Sequence, residues 1–344
     1  MKSIVIHAAK DLRIEDRPEE SPAAGQVKIN IEAGGICGSD LHYYQHGGFG
    51  TVRVKEPMIL GHEIAGRITE LGAGVSHLKI GDKVAVSPSR PCSNCDYCLK
   101  GQQNHCLNMR FYGSAMPMPH IQGGFRQTLV AEGWQCHKVD DHVSINEAAF
   151  AEPLAVVLHG LKRGGSLLGK RVLITGCGPI GLLCLLAAKA HGAVEIVVTD
   201  VMDAALNKAL ELGANRAINV ATAGEDLMAY AANKGYFDVM FEASGNGQAI
   251  RSGIEVMRPQ SILVQLGLGG DVSFPVNLAV AREIDFRGSF RFHEEFEHAV
   301  THINRGTIDV KPLLSAIYPI EQAVEAFELA GDKSRAIKVQ ISFH

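Results

Sequence analysis

The sequence predicts an α/β chain of two units, a β-rich amino-terminal unit and a doubly wound parallel sheet, and three observations carry that prediction. At 344 residues the chain is long for one core, and 46% apolar residues are ample to fill two. Short β-like runs separated by Gly and Pro occupy roughly the first 150 residues. From about Gly169 the texture changes to apolar strands alternating with helical segments, the sign of βαβ units.

In chain order, KSIVIHA, QVKINIEA, EIAGRITELG, DKVAVSP and FRQTLVAE read as strands of an antiparallel, barrel-like assembly with long loops. Functional side chains are expected on those loops. The parallel sheet begins with RVLITG, continues through the helical PIGLLCLLAAKAHG to EIVVTD, and then enters the helical MDAALNKALELG. FDVMFEAS and SILVQLGLG read as later strands, with NGQAIRSGIEVM as the helix between them. After residue 290 come helix-like EEFEHAVTHINRG, helix-like IEQAVEAFELAG and strand-like AIKVQISF. The expected division is therefore 1–150, 151–290 and 291–344, with the parallel-sheet unit inserted between the first unit and a carboxy-terminal return to it. No repeat or low-complexity segment stands out.

Lys+Arg 33 against Asp+Glu 37 gives a net charge of −4 with no long block of either sign. That balance argues against nucleic acid or an anionic membrane as the main partner and favours a small molecule. Lys10, Asp11 and Arg13 interrupt the amino terminus too soon for a signal-peptide core, and no apolar run is long enough to span a bilayer. The expected location is the cytoplasm, where clustered cysteines serve as metal ligands or redox groups more often than as disulfides.

Four of the eight cysteines, Cys92, Cys95, Cys98 and Cys106, follow the spacing C-x2-C-x2-C-x7-C. Three thiolates at three-residue steps wrap one small cation, and a fourth closes a tetrahedron of Zn–S bonds about 2.3 Å long. A redox pair needs only two cysteines, and a thioredoxin-like context is missing. The expectation is a structural zinc, closed to substrate.

The stretch Thr175-Gly176-Cys177-Gly178-Pro179-Ile180-Gly181 contains G-x-G-x-x-G, a weak signal alone in a chain with 37 glycines. Its setting strengthens it: a strand precedes, a helix follows, and Asp200 ends the next strand 19 residues after Gly181. Gly176 and Gly178 would permit a tight turn against pyrophosphate, Gly181 close packing of helix on strand, and the amides near Pro179 and Ile180 would face the phosphates. Asp200 would accept from the adenosine ribose hydroxyls and repel a 2′-phosphate, so NAD is favoured over NADP.

Cys37, His62 and Glu63 stand out in the same amino-terminal unit. Alone, Cys37 reads as a buried apolar cysteine and His62 as a satisfied core histidine. Beside a dinucleotide fold they read as ligands of an open zinc site, since a hydroxyl donates hydride poorly until a cation stabilises its alkoxide.

The motifs GICGSDLH, PMILGHEIAG, the four-cysteine loop, AEPLAV, TGCGPIGLL and REIDFRGSFRF together resemble the zinc-containing medium-chain alcohol and polyol dehydrogenases over nearly the whole chain. The resemblance implies a GroES-like catalytic domain bearing two zinc sites, one catalytic and one structural, joined to a Rossmann domain. It implies that Cys37 and His62 bind the catalytic zinc, with Glu63 or Glu152 as the third protein ligand. Glu152, where alcohol dehydrogenases carry cysteine, resembles the polyol branch that includes sorbitol dehydrogenases. The complete four-cysteine set, which animal sorbitol dehydrogenases lack, resembles the bacterial side of that branch.

The same resemblance implies that Ser39 takes the substrate hydroxyl proton and that His42 passes it to solvent by way of a cofactor ribose hydroxyl. It makes Arg291 a contact for substrate hydroxyls and Tyr43 a further one. Against these stand plainer readings, an exposed loop histidine for His42 and an ion pair for Arg291. The implied activity is oxidation of a secondary alcohol of a sugar acid or polyol to a ketone with hydride transfer to NAD. Threonine would suit the same site, and homodimers or homotetramers are implied. A noncatalytic NAD-binding protein and a zinc-free quinone reductase are the rivals; the set Cys37, His62, Glu63 and Glu152 speaks against both.

Overall fold

The computed structural model describes residues 1–344. Six parallel strands form its central sheet, in the spatial order Arg216–Asn219, Glu195–Asp200, Arg171–Thr175, Phe237–Glu242, Met257–Gln265 and Asp285–Gly288. Numbered along the chain this is 3-2-1-4-5-6, the dinucleotide-binding order, and the order reverses between the Arg171 and Phe237 strands. A ligand crevice therefore opens beyond Thr175 and Glu242. Both faces of this sheet are covered, and every residue of Phe237–Glu242 is buried.

A seven-stranded sheet is built around Gln26–Gly35, whose residues alternate between buried and half-buried until Gly34 and Gly35. That strand pairs antiparallel with Glu63–Leu71, Thr128–Glu132 and Lys338–Ser342. The expected all-antiparallel assembly needs one correction, because Leu314–Pro319 pairs parallel with Lys338–Ser342. A parallel pair requires a crossover, and the Ala323–Gly331 helix supplies it.

One apolar core joins the two sheets. It contains Ala33, Ala65 and Ala85 from the seven-stranded sheet, Phe150 and Leu154 beside and within the Ala151–Gly164 helix, and Val172 and Phe241 from the parallel sheet. The buried Ala151–Gly164 helix thus carries Glu152 in its first turn to the junction. Strands such as RAIN and DFRG span only four residues, too few to show a period, and DFRG is largely exposed at the sheet edge. No helix is long and apolar enough to cross a membrane.

Candidate active site and metal centres

The Gln26–Gly35 strand delivers the chain to Cys37, the N-cap of the Gly38–His46 helix. Its neighbour begins at Glu63, which lies opposite Gly35 in the ladder, so two adjacent strand ends bring Cys37, His62 and Glu63 together. One ligand atom from each lies within 4.8 Å of the others. His62 Nδ1 is buried with no hydrogen-bond partner, and Glu63 Oε2 has only the Lys338 ammonium against it. Leaving the His62 nitrogen unmatched costs about 1–3 kcal/mol, and a bound cation would remove that deficit, so this donor set of thiol, imidazole and carboxylate fits zinc. Gly35 is required here, because a Cβ would strike Glu63 Oε2.

Glu152 is buried beside this set but stands outside the 4.8 Å group. Burial pushes its carboxyl up to about 8; His62 draws it down while Glu63 and Cys37 push it further up. Burial, then Glu63, pushes the Cys37 thiol up to about 12. Acidic donors crowded into an apolar recess ionise only beside a positive charge.

Two further residues complete the surroundings. Asp40 is fully buried, accepts from the Cys37 amide at 3.0 Å and the Gly61 amide at 3.2 Å, and lies 3.9 Å from His62 Nδ1. Its signal in the sequence is an acid three residues after an N-cap. Lys338, buried in the closing strand, pairs with Glu63 and donates to the Ile36 carbonyl at 2.9 Å. Nothing in AIKVQISF distinguishes that lysine.

Ser39 and His42 sit three residues apart on the Gly38–His46 helix and so share a face. Ser39 is half-buried and His42 exposed. Partial burial, then His46 and Lys333, lowers the His42 pKa, which keeps its imidazole neutral and able to take a proton at neutral pH. Tyr43 is packed as core, 2% exposed, with its hydroxyl accepting from the Ala115 amide at 3.1 Å.

Arg291 is half-buried in left-handed backbone, φ 54°. Its guanidinium carbon lies 4.5 Å from the Phe111 ring centroid and 5.0 Å from that of Phe290. It makes no ion pair, and its charge is felt by Glu152 and Tyr43. The plainer reading of Arg291 as an ion-pair residue has no partner in the structure.

At the crevice, Gly176 takes φ 88° with Ser244 packed against it, while a Cβ on Gly178 would meet nothing within 4 Å. That open face is where a pyrophosphate can approach. A Cβ on Gly181 would strike the Gly176 carbonyl. The helix starts at Pro179, whose fixed φ suits the first helical position, and Ile180 follows in the same turn. Asp200 reaches this loop directly, accepting from the Cys177 amide at 2.6 Å and from the Val201 and Met202 amides at 2.7 and 2.9 Å.

The sulfurs of Cys92, Cys95, Cys98 and Cys106 lie within 4.8 Å of one another, and all eight cysteines are free of disulfides. Amides of Cys92 and Asn108 point at Cys106 Sγ from 3.1 and 3.3 Å. The Asn94 amide leads the hydrogen bonds that hold the Cys92 thiol down to about 6. Thiolates turned inward and fed by amides suit a tetrahedral zinc.

Comparison with known proteins agrees with this geometry. Residues 23–141 match the alcohol dehydrogenase GroES-like domain and residues 179–305 the zinc-binding dehydrogenase family. The chain is 45% identical over 343 residues to L-idonate 5-dehydrogenase (NAD(P)(+)) of Escherichia coli, covering 99% of this chain and 98% of that one. It is 37% identical over 331 residues to human sorbitol dehydrogenase, covering 95% and 91%. The crystal structure of L-idonate 5-dehydrogenase from Escherichia coli superposes with a TM-score of 0.95 at 42% identity, over 99% of this chain and 98% of that one. With both family models matched and these relatives aligned end to end, the chain belongs to the zinc-binding alcohol and polyol dehydrogenases and is an NAD(P)-linked oxidoreductase of that family.

Proposed function

We propose that this enzyme oxidises the C5 secondary hydroxyl of an aldonate, converting L-idonate to 5-ketogluconate. The observation that carries the choice of a sugar acid is Arg291, a half-buried guanidinium with no carboxylate of its own, set between Phe111 and Phe290. The likeness to L-idonate 5-dehydrogenase supports the same substrate. An acyclic six-carbon acid presenting its C5 hydroxyl to the Cys37 recess places its carboxylate several bonds away, where a guanidinium can take it through two parallel hydrogen bonds.

Cys37 and His62 would hold the catalytic zinc with Glu63, the carboxylate already among them, while Glu152 stands next in reach. Cys92, Cys95, Cys98 and Cys106 would hold the structural one. When bound, the catalytic zinc supplies Lewis-acid stabilisation of alkoxide character and NAD supplies the hydride acceptor. Ser39 Oγ would accept the hydroxyl proton while giving its own to a ribose hydroxyl of bound NAD, and the neutral His42 imidazole, exposed on the same helix face, would pass a proton from that ribose to solvent. Asp40 fixes the Cys37 turn, Tyr43 shapes the floor, and Asp200 offers its carboxylate to the ribose beside Gly176, Gly178 and Gly181.

A division near residues 150 and 290 is supported by the two sheets and by the closing strand, which returns to Gln26–Gly35. Assembly as a homodimer or homotetramer is supported by the open edge of Asp285–Gly288, where Val276, Val280, Phe286 and Phe290 are exposed. Eight free cysteines support a cytoplasmic setting.

The test is differential. Arg291→Lys should lower kcat/KM for L-idonate more than for sorbitol, by about 1.5–3 kcal/mol for the lost charge-assisted contact. Equal losses would show that Arg291 does not read the carboxylate. A preference of the unaltered enzyme for sorbitol would replace the aldonate with a polyol.

A further inference from the structure

Glu242 ends the Phe237–Glu242 strand where the strand order reverses, and it is 0% exposed. Donors ring its side chain: Thr175 Oγ1 at 3.3 Å, the Ser244 and Gly245 amides at 2.9 Å each, the Ser244 hydroxyl and the Gln265 carboxamide nitrogen. The amides and the carboxamide nitrogen can only donate, and the Ser244 hydroxyl, which accepts from the Asn246 amide at 3.1 Å, turns its proton to Glu242. Hydrogen bonds of that sense hold the side chain as a carboxylate. Glu63 and Glu295 are buried beside Lys338 and His159, but Glu242 has no cation against it. A buried charge without a partner is costly, and nothing in the chemistry above accounts for this one.

The loops that follow Glu242 and Gln265 leave the carboxyl ends of their strands, the crevice end of the sheet, and meet over this carboxylate through glycines. A Cβ on Gly267 would stand 2.7 Å from Glu242 Oε2, and one on Gly269 would strike the Gly245 carbonyl. The Glu242 carbonyl holds the second loop as well, accepting from the Leu266 and Gly267 amides at 2.8 and 2.9 Å. A charge under so thin a cover is felt in the crevice. The Arg171–Thr175 strand has the Glu195–Asp200 strand on one side and the Phe237–Glu242 strand on the other. With Asp200 at the adenosine ribose and the glycine loop at the pyrophosphate, the nicotinamide half extends the other way, across the end of Phe237–Glu242.

We propose that Glu242 is a specificity-determining residue for the redox state of the cofactor: its unpaired charge favours the cationic nicotinamide ring of NAD⁺ over the neutral ring of NADH. The consequence is easier capture of NAD⁺ and easier release of NADH, at the cost of a less downhill hydride transfer to the bound cofactor. This rests on the placing of Asp200 at the adenosine ribose. Thr175, Ser244 and Gln265 supply the hydrogen bonds that keep the charge in place, and none of them adds a charge of its own.

The test compares zinc-loaded parent enzyme with Glu242→Gln, which keeps the shape of the side chain and removes its charge. Calorimetry gives Kd for NAD⁺, for NADH and for ADP-ribose, which has no nicotinamide. The ratio of the NAD⁺ Kd to the NADH Kd should rise about fivefold or more, with ADP-ribose changed by about twofold at most. Gln265→Lys brings an ammonium to the same carboxylate with Glu242 in place and should move the ratio the same way, so the proposal stays testable where Glu242→Gln does not fold. Thr175→Val removes a donor but no charge and should leave the ratio within about twofold of the parent. Equal weakening of NAD⁺ and NADH in Glu242→Gln would show that Glu242 only holds the loops and would overturn the proposal, as would an unmoved ratio in Gln265→Lys. ADP-ribose weakened as much as NAD⁺ would overturn it too, by placing the charge under the other half. Asp200→Ala should weaken ADP-ribose; unaltered binding there would refute the placing of Asp200, while the ratio in Glu242→Gln still decides the role of Glu242.

Discussion

Replacing Lys338 with Met keeps the length of the side chain and removes its charge, which isolates the buried pair with Glu63. The two side chains are 3% and 1% exposed, and Lys338 is the one cation paired with Glu63. Removing one partner of such a pair strands the other charge in a low-dielectric interior, which costs about 3–5 kcal/mol. The Ile36 carbonyl loses its donor as well, at about 1 kcal/mol. The chain has one tryptophan, Trp134, 51% exposed in the Gly133–Gln135 turn of the Glu63-bearing unit, so its fluorescence reports unfolding where the change is made. In metal-stripped enzyme the urea midpoint of Lys338→Met should fall by about 1 M or more. Adding Glu63→Gln should recover most of the loss, because the double variant strands no charge. Loading with zinc should shrink the loss, since a cation beside Glu63 replaces the missing one. An unmoved midpoint, or a double variant no more stable than the single, would show that the pair does not hold these strands.

Metal analysis of active enzyme should find two zinc ions before any is added, with Cys98→Ser damaging folding and Cys37→Ser abolishing turnover in a folded, NAD-binding protein; one zinc or none would refute the assignment. Asp200→Ala should weaken NAD and relatively improve NADP by about 1–3 kcal/mol, measured as the ratio of kcat/KM values. Equal efficiencies in the parent would mean that the carboxylate is not the discriminator, and Lys208, now paired with Glu211 at 2.6 Å, would be the next to replace. Burial opposes ionisation of Glu295, but hydrogen bonds from His159 and the His293 amide hold its carboxyl down to about 2. A depressed carboxylate pKa contributes stability above the unfolded value, 4.5, and loses it as pH falls through the folded one. Glu295→Gln should therefore flatten acid unfolding between about pH 4.5 and 2, and superimposable acid curves for the two proteins would count against the His159 contact.

Legibility followed distance along the chain. The four cysteines and the glycine loop were readable because each site is assembled within one short segment, where spacing alone constrains geometry. Cys37, His62 and Glu63 come from two neighbouring strand ends, and their residue types still mark them. Lys338 bonds to a residue 302 positions away, so no local pattern can announce it; only the return of the closing strand to Gln26–Gly35 brings it there. The register Gln340↔Gly35 decides the matter, since a one-residue slip would turn Lys338 to the opposite face and leave Glu63 alone.

Arg291 shows the same dependence working through a closed metal lobe. Its backbone sits at φ 54°, a conformation that costs a non-glycine residue about 1 kcal/mol or more and persists only when its neighbours impose it. Those neighbours include the four-cysteine lobe. Asn104, two residues before Cys106, donates to the Phe290 carbonyl at 3.1 Å, and the His105 ring stacks on Phe290 at 6.1 Å. Phe290 in turn flanks the Arg291 guanidinium. The lobe thus braces the segment that carries Arg291 and helps to hold that arginine in left-handed backbone without an ion pair. Neither half of that link is visible in REIDFRGSFRF, where the arginine looks like any other surface cation.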